Sequence, residues 1–158
     1  DRDKSEDLMV EPLEPFRAAE EFEEMRLAVD RLERTPVVFL LTIGNPVMRK
    51  ARAQFSYGFF GCAGYKVIDN LGFNDPEEGV RAAMDEGANI VVVCSSDEEY
   101  NDYVPRINEL VAGRSIVVVA GEPAGRGELE SKGIDHFISL RSNLLDTLRD
   151  YNRELSII

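Results

Sequence analysis

The sequence is short of cations, of cysteine and of long apolar runs, and each shortage removes a class of function. Eighteen Lys and Arg stand against 30 Asp and Glu, a formal charge of −12. With no basic stripe to release counterions, a nucleic-acid or anionic-membrane surface is not expected. The two cysteines, Cys62 and Cys94, form neither a CxxC motif nor a four-ligand zinc set, which points to a reduced, cytoplasmic chain. No apolar run approaches the roughly 20 residues of a membrane span, and the opening "DRDKSEDLMV" is charged where a signal peptide is greasy. The chain opens at Asp1 without methionine, so a processed or truncated piece of a longer protein is expected. Its 158 residues suit one domain with an arm, able to bury about 70% of the unfolded surface.

What is present divides into three parts. Residues 1–15 are acidic with little to bury, and read as a loosely ordered linker. Over 16–34, Phe22, Met25, Val29 and Leu32 recur at steps of three and four, the stripe of an amphipathic helix. Burying four such side chains is worth roughly 6 to 12 kcal/mol, so the stripe must dock; the α/β domain that follows is the expected surface, with a partner subunit as the alternative. Residues 35–158 make up that domain.

Within it, "VVFLLT" (37–42), "YKVID" (65–69), "NIVVVC" (89–94), "SIVVVA" (115–120) and "HFISL" (136–140) read as strands. They are β-branched and without alternation, as parallel strands covered on both faces are. Helices are expected at 47–62, from an Asp75-Pro76 start to Gly87, at 97–112 with Pro105 imposing a kink or a later start, over "GELESK", and from a Ser142 cap to Arg153. Five βα units with strands 1, 3 and 4 the most apolar predict a flavodoxin-like parallel sheet of order 2-1-3-4-5, helices on both faces and an N-terminal helical arm. Ligands of such sheets sit where the order reverses, here between "TIGNPVM" after strand 1 and "CSSDEE" after strand 3.

The usual occupants of that corner do not suit it. A phosphoacceptor domain needs acids after strand 1, an aspartate ending strand 3 and a lysine ending strand 5; the chain offers Asn45, Cys94 and Arg141. A flavin phosphate needs a loop of backbone amides, and Pro46 has none to give. "GEPAGRG" (121–127) lacks the lysine and hydroxyl of a P-loop. The one histidine, His136, falls at the entry of strand 5, the far end of the sheet. Ser96 and Glu99 have capping-box spacing, so Ser95, Ser96 and Asp97 read as the cap of the third helix of this domain rather than as a nucleophile without a base. Cys94 and Cys62 read as small core residues.

The stretches "VVFLLTIGNPVMRKARAQFSYGFFGCAGYKVIDN", "GFNDPEEGVRAAMDEGANIVVVCSS", "IVVVAGEPAG" and "GIDHFISLRSNLLDTL" together resemble the cobalamin-binding domain of the methylmalonyl-CoA mutase family, over nearly all of residues 35 to 153. In that family the loop after strand 1 carries Asp-x-His-x-x-Gly, whose histidine ligates cobalt while the aspartate orients it. In the matching window Pro46 stands near the aspartate's place and Met48 near the histidine's. Proline has no side-chain acceptor, and a thioether is a poor substitute for a supported imidazole at cobalt.

The family includes heterodimeric mutases whose small subunit copies the catalytic architecture without that histidine, and the chain resembles the carboxyl-terminal domain of such a subunit. The resemblance implies a non-catalytic, metal-free domain that supports a large subunit, the latter holding adenosylcobalamin and interconverting succinyl-CoA and methylmalonyl-CoA. It further implies a vestigial cofactor site at Gly44, Asn45, Pro46, Met48, Ser95, Ser96, Ala120 and Gly121, its cobalt-facing corner plugged by hydrocarbon and sulfur. The serine loop and Ala120-Gly121 match the family's tail-contacting loops, and keep open the alternative of a working cobalamin module without a histidine ligand.

Overall fold

The computed structural model describes residues 13–156. The acidic stretch expected as a linker lies outside the described residues up to position 12. Five strands, β1 (Val37–Thr42), β2 (Lys66–Ile68), β3 (Ile90–Cys94), β4 (Ile116–Ala120) and β5 (Phe137–Ile138), form one sheet of order β2-β1-β3-β4-β5. Every pairing is parallel, with Val38 opposite both Val67 and Ile90, and Ile90 opposite Ile116. This is the doubly wound, flavodoxin-like arrangement the apolar runs predict.

Alternation along the strands splits the core in two. Val38, Leu40, Ile90, Val92, Cys94 and Val118 face one side, with Phe60 of α2 (Pro46–Gly61) and Leu148 and Tyr151 of α6 (Leu144–Glu154). Phe39, Leu41, Val91, Val93, Val117 and Val119 face the other, with Val80 of α3 (Pro76–Asp85), Ile107 of α4 (Tyr100–Val111) and Leu129 of α5 (Arg126–Ser131). Central strands buried on both faces have no polar side to show, which is why they read as continuous apolar runs.

The arm helix α1 (Leu13–Asp30) docks on the first of these faces. Met25 and Val29 are buried there, Phe22 packs beside them, and Glu21 reaches Arg149 of α6 at 3.5 Å. The helix stops at Asp30, so Leu32 meets the protein from a turn rather than from the helical stripe.

Local chemistry sets the other ends. Asp75 caps α3 by accepting the Glu78 N–H at 2.8 Å, with Pro76 in the first turn. α4 begins at Tyr100, three residues later than Asp97, which leaves Pro105 just past the first turn. α6 is capped by Asn143, which accepts from the Asp146 N–H at 3.0 Å; Ser142, expected in that role, instead accepts the Ser139 N–H. No described helix is long and apolar enough to cross a membrane.

Candidate functional site

β1 delivers the chain to Gly44, whose φ of +83° suits glycine, and the backbone turns into α2. Asn45 caps that helix, its side-chain oxygen accepting from the Val47 and Met48 N–H groups at 3.0 and 3.1 Å. Pro46 at the first helical position gives up an amide that would have no helical partner. The one polar side chain of the loop's turn, Asn45, is therefore spent on its own helix.

Opposite, the segment after β3 folds back across the corner. The carboxylate oxygen Glu99 Oε1 accepts the Asn45 N–H at 2.9 Å, the Ser96 hydroxyl at 2.6 Å and the Ser95 hydroxyl at 3.4 Å. A side chain at Gly44 would overlap Glu99 Oε2 and come within 2.7 Å of Ser95 Oγ. Glu99 is thus seated against a bare Cα, and the Ser96 hydroxyl, then the Asn45 N–H, hold its pKa below the ordinary value. This corrects the capping-box expectation. Glu99 is itself the cap residue of α4 and makes no side-chain cap bond, because its carboxylate is taken by the two serines and by Asn45.

A second acid of the same segment covers the neighbouring loop. Asp97 pairs with Arg52 of α2 at 3.1 Å, and a side chain at Gly121 would come within 2.6 Å of Asp97 Oδ1. Tyr100, fully buried, ties the loops together: its hydroxyl accepts the Ser95 N–H at 3.1 Å and donates to the Ala120 carbonyl. Burial pushes its pKa upward. Below this lid Cys94 lies 3.9 Å from Ser56, its thiol pushed up to about 12 by burial.

Of the residues singled out from the sequence, Gly44, Asn45, Ser95 and Ser96 meet around Glu99, and Ala120 and Gly121 join them through Tyr100 and Asp97. Pro46 and Met48 do not take part. Pro46 and Val47 are exposed, Met48 is half-buried, and what closes the corner is a carboxylate rather than hydrocarbon and sulfur. Pro46 instead lines a cavity of about 290 Å³ towards β2, with Thr42, Arg49 and Asn70. Arg49 anchors that side, donating to the Gly44 and Leu71 carbonyls at 3.2 Å each.

Glu99, Arg52 and Asn70 escaped the sequence reading as parts of the corner. Only an acid at capping-box spacing hinted at the first. His136 stands at the entry of β5, 3.5 Å from both Asp135 and Glu154, away from this corner. Among the described residues no group of three or more His, Cys, Asp or Glu is gathered to hold a metal.

No family model matches the chain. It is 55% identical over 148 residues to a methylmalonyl-CoA mutase small subunit of Porphyromonas gingivalis, across 94% of this chain and 24% of the relative. A methylmalonyl-CoA mutase small subunit of Streptomyces virginiae is 29% identical over 126 residues, 77% of this chain and 20% of that one. The chain therefore spans about a quarter of the length of the curated relatives it matches. In fold it is similar to the crystal structure of a cobalamin-binding protein from Desulfitobacterium hafniense DCB-2, with a TM-score of 0.55 and 16% identity over 84% of this chain and 66% of that one. At 55% identity across nearly all of its length, the chain belongs with the methylmalonyl-CoA mutase small subunits over the quarter of their length that it spans.

Proposed function

We propose that this chain is a cofactor-free domain of a methylmalonyl-CoA mutase small subunit, and that it supports a large subunit which holds adenosylcobalamin and interconverts succinyl-CoA and methylmalonyl-CoA. The observation that carries the reading is the Glu99 carboxylate, hydrogen-bonded to Asn45, Ser95 and Ser96 and pressed against Gly44, in the space between the loops after β1 and β3. That space is where a sheet of this order receives a ligand. The vestigial site is then Gly44, Asn45, Ser95, Ser96, Ala120 and Gly121, with Pro46 and Met48 beside it in the first turn of α2.

The residues present do not fit a cobalt-binding corrinoid. By the resemblance, Met48 stands near the place of the cobalt-ligating histidine and Pro46 near that of its supporting acid, and the single histidine lies elsewhere. A negative carboxylate in the slot repels a phosphate-bearing tail and withholds the hydroxyls that would receive it. The domain's contribution is accordingly structural: a packed, ligand-independent module.

The test is direct. The purified protein is mixed with hydroxocobalamin, passed through gel filtration and read for corrin absorbance. The expected eluate is colourless; stoichiometric corrinoid in the protein peak overturns the reading and favours the working-module alternative. Capture of the large subunit by the full-length small subunit tests the partnership.

A further inference from the structure

Two glycines line the carboxyl end of the sheet, Gly44 after β1 and Gly121 after β4, with φ of +83° and +149°. Each leaves a gap where a side chain would stand, and each gap is filled by an acid from one five-residue segment, Glu99 on Gly44 and Asp97 on Gly121. The two acids are not held alike. Asp97 has a cation, Arg52, at 3.1 Å. Glu99 has none among the described residues: one oxygen receives a backbone N–H and two hydroxyls, the donor set that a bound oxyanion would use.

We propose that Glu99 is an internalised ligand, an autoinhibitory contact that occupies an oxyanion cradle built by Asn45, Ser95 and Ser96 and closes it to diffusible phosphate-bearing molecules. The proposal deepens the cofactor-free reading and rests on it. It states that closure comes from one side chain laid over a cradle whose donors are intact. The loop that carries these hydroxyls is anchored by groups that Glu99 does not supply, since the Ser95 backbone N–H is bound to Tyr100, whose hydroxyl is tied in turn to β4 through Ala120. Removing the carboxylate therefore leaves the donors in place and unpaired, while the Arg52–Asp97 pair keeps the adjoining loop closed.

Unpaired, partly buried donors lower stability, and a free anion that supplies the missing acceptor restores it by mass action. The experiment compares the melting temperatures of the wild type, Glu99→Ala and Glu99→Gln in rising inorganic phosphate, with sodium chloride keeping ionic strength constant. Glu99→Ala is expected to melt about 4 °C lower than wild type without phosphate, and to recover at least half of that loss with it. The wild type, its cradle filled, and Glu99→Gln, which keeps an acceptor oxygen there, are expected to give no phosphate-specific rise.

Should Glu99→Ala fold only when phosphate is present, the proposal stands. Failure to fold with or without it, or a melt that phosphate moves no more than chloride does, overturns it. A wild type that responds as strongly as Glu99→Ala overturns it as well. None of these results depends on corrinoid: retention of hydroxocobalamin by the wild type would sink the cofactor-free reading, whereas absence of anion rescue would sink only the internal-ligand claim.

Discussion

Gly79 of α3 lies directly on Leu41 of β1, so close that a methyl group on its Cα would stand 2.8 Å from Leu41 Cγ. Both residues are buried, and Leu41 has no exposed area through which to retreat. Gly79→Ala gains helix propensity of up to about 1 kcal/mol but overpacks the core, which costs about 1–3 kcal/mol. The expected net result is a loss of roughly 1–2 kcal/mol in denaturant unfolding. Gly58 of α2 is the opposite case, with nothing within 4 Å of an added Cβ. Gly58→Ala is expected to stabilise by about 0.5–1 kcal/mol. Equal effects of the two changes would refute this account of how α3 seats on the sheet.

The docking of α1 gives a second contrast. Met25 is 4% exposed within the core cluster and Leu27, two residues on, is 51% exposed. Met25→Ala is expected to cost about 2–5 kcal/mol, whereas Leu27→Ala stays within about 0.5 kcal/mol. Deleting residues 1–34 is correspondingly expected to lower the melting temperature. An unchanged melt would mean that the stripe serves a surface outside this chain.

Much of this was legible in the residues. Parallel strands buried on both faces announce themselves as β-branched runs, and Asp75-Pro76 announces a helix start because capping is chemistry between neighbours. The corner was not legible in the same way. The Asn45–Glu99 bond joins residues 54 positions apart, and Ser96-x-x-Glu99 has the spacing of a capping box whether its carboxylate turns to the helix or to another loop. Local patterns fix local partners; here a donor from β1's loop outcompeted the cap. For a similar reason Ser142 lost its expected place to Asn143, since its hydroxyl was already engaged by the Ser139 N–H.

Alkaline stability should depend on three buried tyrosines. Burial raises the pKa of Tyr65, Tyr100 and Tyr151 above the ordinary 10.0. Above pH 10 the unfolded chain releases those protons while the folded one keeps them. The unfolded state then binds fewer protons, and stability falls by about 1.4 kcal/mol per pH unit for each group. Cys94, raised from 9.0 to about 12, begins the same loss from pH 9. Unfolding free energy is thus expected to be level through neutral pH and to drop steeply above 10, with tyrosinate absorbance appearing together with loss of structure. Tyr100→Phe, which strips partners from the Ser95 N–H and the Ala120 carbonyl, is expected to cost about 1–3 kcal/mol at neutral pH.

The acid limb carries the signature of Glu99. Its folded pKa lies below 4.5, so the stabilisation is present above that value and is lost as pH falls through the lower folded value. Glu99→Gln cannot titrate. The gap in melting temperature between wild type and Glu99→Gln is therefore expected to narrow from neutral pH to the acid side. A gap that holds constant would mean the carboxylate charge contributes nothing to closing the corner.

Met48→His is expected to leave the protein unable to retain corrinoid. Residue 48 lies in the first turn of α2, its N–H held by the Asn45 side chain, and the same turn offers Pro46 where an acceptor would have to orient the imidazole. A histidine placed there is free to rotate and faces no opened slot, because Glu99 still spans Asn45, Ser95 and Ser96. The measurement is the visible spectrum of the variant after gel filtration with hydroxocobalamin. Tight retention by this single change would move the determinant of cofactor loss from the closed slot to the missing ligand alone, and the carboxylate would be packing around a site that was never shut.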